Sequence, residues 1–133
     1  MVARGEDDED RGSSPVEFVL VGALLTILTL AVLQLAVGVY VTNVVHDAAV
    51  EGAYYAALAD TTAEEGVERT RLVITRSVGA SFAEEVTATE QDAGGQRVIE
   101  VQVRTTLPLI GLLGISQGLE VSARAPVETL GEE

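Results

Sequence analysis

The sequence predicts an α+β protein built on one long N-terminal helix, and three observations carry that reading. Residues 18–41 contain no charged side chain. Apolar residues then continue at helical spacing well past that run, and a second amphipathic segment follows. After Ala83 the apolar period changes from helical to two, the period of a half-buried strand. The expected architecture is a long helix that crosses a membrane and extends beyond it, a second helix, and a small three-stranded antiparallel sheet.

The uncharged run is about 24 residues, or about 36 Å as a helix, against a hydrocarbon core of about 30 Å. A secretory signal peptide has a shorter apolar region, of about 7 to 15 residues, followed by an A-x-A-like cleavage site. The site Ala36-Val37-Gly38 imitates this poorly, and apolar sequence continues past it, so residues 13–41 are read as a retained transmembrane helix. Ser14 and Pro15 are read as its N-cap and first turn. Val41, Val45, Ala48, Gly52, Tyr55 and Ala59 follow steps of four and three, a stripe that prolongs the helix over 42–59. Asn43, Asp47 and Tyr54 lie on the other side. Tyr40 falls where an interfacial aromatic is expected.

Asp60-Thr61-Thr62 interrupts this pattern. Thr62 with Glu65 has the spacing of a capping box, and a second helix is read over 63–82 with Val67, Thr70, Ile74, Val78 and Phe82 on one face. Strands are read over about 85–90, 97–106 and 119–127, the first two joined by a turn at Asp92-Ala93-Gly94-Gly95. Ile99, Val101 and Val103 point inward in the second, and Leu119, Val121, Ala123 and Ala125 in the third. The apolar stretch Leu107 to Gly114 is read as a lid on the sheet, with a partner-binding patch as the alternative.

Net formal charge is −13, from 21 acids and eight bases, all of them Arg. No basic patch can neutralise phosphates, so no nucleic-acid partner is expected. The acidity reads as a solubilising surface for an exposed domain. The chain has no Cys, which excludes disulfides and thiolate chemistry. His46 is the one His, and it sits beside Asp47 and near Glu51 as helix-surface polarity. No catalytic set, phosphate-binding loop, metal site or small-molecule pocket is legible, so no enzyme activity and no cofactor are expected.

Arg11 precedes the span, and no base follows it until Arg69. The positive-inside rule therefore puts the N-terminus in the cytoplasm and residues 42–133 outside. Residues 1–12, MVARGEDDEDRG, read as a polar, disordered leader. Within the span, Gly22 with Thr26 and Gly38 with Thr42 are small-xxx-small pairs suited to helix packing. Gln34 can hydrogen-bond across a helix interface, and Gly52 continues the small-residue stripe.

Glu17 is the feature that asks for a function. A carboxylate at the head of an apolar helix is costly unless paired, and carboxylates at membrane depth are functional candidates. Counted from the bond after Gly12, Ser13 is the first residue and Glu17 the fifth. Glycine, a short polar segment and a carboxylate at the head of a long apolar helix resemble a type IV pilin signal. Val16-Glu17-Phe18, together with Ala48-Ala49-Val50-Glu51-Gly52-Ala53-Tyr54-Tyr55-Ala56, resembles the TadE-like family of pseudopilins from tight-adherence (Flp) pilus systems. That family has a V-E-F triplet and a second block like A-A-R-E-G-A-R-Y-A. Val50 and Tyr54 stand where it usually has Arg, and the leader here is acidic where pilin leaders are usually basic.

The resemblance implies a pilin-like fold and a minor, structural subunit of the pilus system, held as a single-pass cell membrane protein with its C-terminal domain outside, or at the cell surface in a pilus. It implies cleavage between Gly12 and Ser13 by a prepilin peptidase, and partners among other pilin-like subunits and the pilus assembly machinery. It also implies that Glu17 pairs with the freed amine of a neighbouring subunit. Cutting would remove two Arg and five acids, taking the net formal charge from −13 to −10. The alternative is an uncut, single-pass, signal-anchored binding or scaffold module of the envelope.

Overall fold

The computed structural model describes residues 10–107 and 117–129, with side chains from 14 to 107 and from 118 to 129. Five elements of regular structure and one short turn follow in chain order: α1 (Asp10–Ala56), α2 (Ala63–Ser77), a 3₁₀ turn (Ala80–Phe82), β1 (Glu85–Ala93), β2 (Gln96–Leu107) and β3 (Gln117–Pro126). This is the α+β arrangement expected from the sequence. The chain divides into two units after Ala36.

In the first unit α1 begins at Asp10, five residues before Pro15. The expected start at Ser14-Pro15, and the expected disorder of residues 10–12, are therefore corrected. Proline holds a helical φ and is compatible with the opening turns of a helix, although it withholds one N–H and crowds the carbonyl four residues earlier. Residues 6–10 are all acidic in sequence, and negative charge next to a helix start is favourable to the helix dipole. From Ser14 to Leu33 every residue is exposed. The apolar part of α1 is long enough to cross a bilayer.

In the second unit, α1 buries Gly38, Val41, Val45, Ala48, Ala49, Gly52, Ala53 and Ala56. The stripe read from the sequence holds to Gly52 and then departs. Ala56 is buried, whereas Tyr55 is 39% exposed. The helix also ends at Ala56 rather than near Ala59. Donors from outside the helix meet the carbonyls at and just past its end: the Thr61 hydroxyl is shared between Tyr55 O at 2.5 Å and Leu58 O at 3.1 Å, and Glu128 N donates to Ala57 O at 2.8 Å. Such bonds satisfy carbonyls that a helix end leaves open.

The N-terminus of α2 carries the capping box read from the sequence. Glu65 N donates to the Thr62 hydroxyl at 3.3 Å, and Thr62 N donates to Glu65 Oε2 at 2.8 Å. The helix was expected to reach residue 82 but ends at Ser77. Val78 N and Gly79 N both donate to Ile74 O, and Gly79 takes φ +115°, which turns the chain out of the helix. Phe82 then sits in the separate 3₁₀ turn.

The sheet has the order β1-β2-β3, antiparallel throughout. Its β1–β2 turn is shorter than the sequence reading had it. Pairing continues to Ala93 opposite Gln96, leaving Gly94 and Gly95 as a two-residue turn with φ of +70° and +90°. Two positive φ values suit a right-twisted hairpin, and glycine supplies them without strain. Asp92 Oδ1 accepts from Gly95 N at 2.7 Å and braces the turn.

Inner-face residues match the expected period. Val86, Ile99, Val101, Val103, Val121, Ala123 and Ala125 are buried in one cluster with Val41, Val45, Ala48, Ala49, Ala53 and Ala56 of α1, Ala57 just after it, and Ile74 of α2. On the outer face two carboxylates tie strands together. Glu120 accepts from Gln102 and Arg104, and Glu100 accepts from Gln91 and Arg124. Leu107 closes β2 and is buried; the rest of the apolar stretch, residues 108–114, lies outside the described residues.

Candidate functional site

The first candidate site is the head of α1. The backbone of Gly12 and Ser13 is helical, so the proposed scissile bond lies in the first turn of the helix. Glu17 follows Ser13 by four residues and is exposed. On a helix that spacing is one turn, which sets Glu17 on the same face as Ser13. The neighbours of Glu17 in sequence are large and apolar: Val16 is 57% exposed and Phe18 81%. An exposed carboxylate, one turn from the bond after Gly12 and at the start of the apolar run, is the geometry of this head.

Further along the helix, three threonines are satisfied by their own helix backbone. Thr26 Oγ1 donates to Gly22 O, Thr29 Oγ1 to Leu25 O and Thr42 Oγ1 to Gly38 O, each at 2.8 Å. These bonds to the preceding turn let a hydroxyl sit among apolar residues without an unpaired donor. Gly22 is open, with nothing within 4 Å of a Cβ built on it. Gln34 is half-buried and Gly38 is buried.

Gly52 occupies a different place. It meets Gly66 where α1 and α2 cross. A Cβ on Gly52 would lie 2.7 Å from Gly66 O and overlap the Thr70 hydroxyl; one on Gly66 would lie 2.7 Å from Gly52 O and 2.5 Å from the Ala56 Cβ. Beside this crossing, Arg69 of α2 pairs with Glu51 of α1 at 2.6 Å. Glu51-Gly52, the centre of the second block of the family resemblance, is thus where α2 docks on α1. Thr70 is fully buried and donates to Gly66 O at 2.9 Å.

The sequence reading had placed Thr70 on the buried face but gave Gly66 no role. Glycine leaves no trace in an apolar period, so the close approach was visible only as a Gly in mid-helix. Nor was Thr61 identified as closing α1, since a hydroxyl that caps a C-terminus has no fixed spacing signal.

His46 and Asp47 are exposed on α1. Among the described residues no group of three His, Cys, Asp or Glu side chains is placed to hold a metal ion. An open groove of about 510 Å³ at one end of the sheet is lined by Ser81, Phe82, Glu84, Glu85, Arg104, Thr105 and Thr106. No histidine stands beside its hydroxyls.

No curated protein and no solved structure matches the chain. The family comparison does give a match, over the head of α1 and its continuation to the α2 crossing. Residues 12–53 match the model of the TadE-like protein family, and over that segment the chain resembles it.

Proposed function

We propose that this chain is a minor, pilin-like structural subunit of a tight-adherence type IV pilus system, cut by a prepilin peptidase between Gly12 and Ser13. One observation carries the reading: the TadE-like match begins at Gly12 and runs to Ala53, covering both the head of α1 and the Glu51-Gly52 contact. The role is structural rather than catalytic. Hydrolysis adds water across the Gly12–Ser13 bond, releasing the Gly12 carboxylate with the leader and leaving a free amine on Ser13. On a neighbouring subunit, that amine supplies the cation that an apolar-flanked Glu17 needs. The apolar face of α1, exposed in a single chain, is then covered by lipid or by the helices of other pilin-like subunits. On this reading the N-terminus is cytoplasmic and residues 42–133 are extracytoplasmic, in line with Arg11 before the span.

The test is the mass and N-terminal sequence of the full chain extracted from membranes, with and without a co-expressed prepilin peptidase. A mature chain beginning at Ser13 only when the peptidase is present supports the proposal. A chain that keeps its leader in both samples leaves an uncut, anchored envelope module as the better account.

A further inference from the structure

The structure sets a helix across the bond that the peptidase must reach. Asp10 to Ser14 already belong to α1, so Gly12 and Ser13 lie in helical backbone. Proteolysis acts on the opened form of a local structure, and its rate follows the population of that form when opening is fast. The opening cost of this first segment therefore bears on processing.

We infer that Pro15 is a positioning residue for this cleavage, holding the start of α1 poised to unwind. The inference rests on the cleavage proposed above. In an α-helix each N–H bonds the carbonyl four residues earlier. Residue 15 would bond Arg11 O, directly before Gly12, but proline has no N–H and its ring crowds that carbonyl. Proline also disfavours helical backbone at Ser14. Gly12 adds a second weakness, as the poorest helix former after proline. The weak points flank the scissile bond on both sides: Arg11 O before it and Ser14 after it. From Val16 onward the helix has its full set of N–H donors, and the apolar span holds it. Opening is thus confined to the turn that carries the Gly12–Ser13 bond and does not propagate into the membrane segment.

The test compares cleavage rates of the full chain in membranes with reconstituted prepilin peptidase, read as loss of residues 1–12 by mass. Pro15→Ala restores both the N–H and a strong helix former, and is expected to slow cleavage about tenfold. Pro15→Gly restores the N–H but keeps the turn weak, so its rate should stay within about threefold of the parent. Membrane flotation of both variants checks that insertion is unchanged. Equal rates for Pro15→Ala and the parent would overturn the inference. So would equal slowing by Ala and Gly, which would mean that the peptidase reads the ring itself. A parent chain that is not cut at all would remove the cleavage reading, a result distinct from either of these.

Discussion

Gly52 of α1 and Gly66 of α2 meet backbone to backbone, each so close that a Cβ on one would lie 2.7 Å from the carbonyl oxygen of the other. A glycine inside a helix ordinarily costs about 1 kcal/mol relative to alanine. Two of them at one crossing are explained by the approach they permit, which brings the Thr70 hydroxyl and the Ala56 methyl into the same contact. The Arg69–Glu51 pair beside it is exposed on both sides, so it sets orientation more than stability.

Gly66→Ala is therefore expected to destabilise the folded chain, although alanine is the better helix former. Its Cβ meets Ala56 Cβ at 2.5 Å and backbone oxygen at 2.7 Å, and neither can rotate away. Overpacking of this kind costs about 1–3 kcal/mol, which exceeds the propensity gain. Thermal unfolding of the full chain in detergent measures it. Gly22→Ala, with open space around it, is the control and should leave stability unchanged or raise it by at most about 1 kcal/mol. A Gly66→Ala chain as stable as the parent would mean that the two helices separate easily and that the crossing is not a fixed contact.

The capping box gives a smaller and more local effect. Thr62→Ala removes the acceptor for Glu65 N and should cost about 1 kcal/mol. Thr62→Ser keeps the acceptor and should cost little. Amide hydrogen exchange in the first turn of α2 reads the change directly. Equal protection in the Ala and Ser variants would show that the box contributes nothing at this end.

The element types were legible because they rest on period. Val101 and Val103 against Gln102 and Arg104, or Val121 and Ala123 against Ser122 and Arg124, show the strand alternation without help. Boundaries depend on single bonds that period does not record. Gly79 N reaching Ile74 O ends α2, and the Thr61 hydroxyl reaching Tyr55 O ends α1. Glycine contacts are the hardest to read, because a helix wheel scores Gly52 and Gly66 as neutral when they mark a close backbone approach of α1 and α2. At the head of α1 the residues Gly12, Ser13 and Glu17 were legible as a spacing. Their helical backbone was not, because Pro15 looked like a start.

The hairpin tests the turn in the same way. Gly95 has φ +90° and donates its N–H to Asp92 Oδ1. Gly95→Ala forces a Cβ into left-handed backbone, at a cost of about 1–2 kcal/mol. Asp92→Ala removes one exposed bond and should cost less than about 1 kcal/mol. Unfolding of the two variants side by side ranks them. The reverse order would mean that the Asp92 brace, rather than the backbone of the glycine, sets this turn.

Glu17 carries the last prediction, and it separates insertion from assembly. The span from Phe18 onward is uncharged and long enough to cross a bilayer without it, so Glu17→Gln should insert as the parent does. Glutamine keeps the volume and a hydrogen-bonding head but cannot neutralise an amine. If the mature Ser13 amine of a neighbouring subunit is its partner, the substitution leaves that cation unpaired among apolar helices. Breaking one half of a buried ion pair costs about 3–5 kcal/mol, so association should fall by at least a hundredfold. Cross-linking of mature chains in membranes measures association, and the mass of the same chains reports cleavage. Full cleavage with lost cross-linking places Glu17 in assembly; lost cleavage places it in recognition by the peptidase. Full cleavage with parental cross-linking would mean that Glu17 faces water or headgroups at the helix start, and that the apolar surface of α1 holds subunits together without an ion pair.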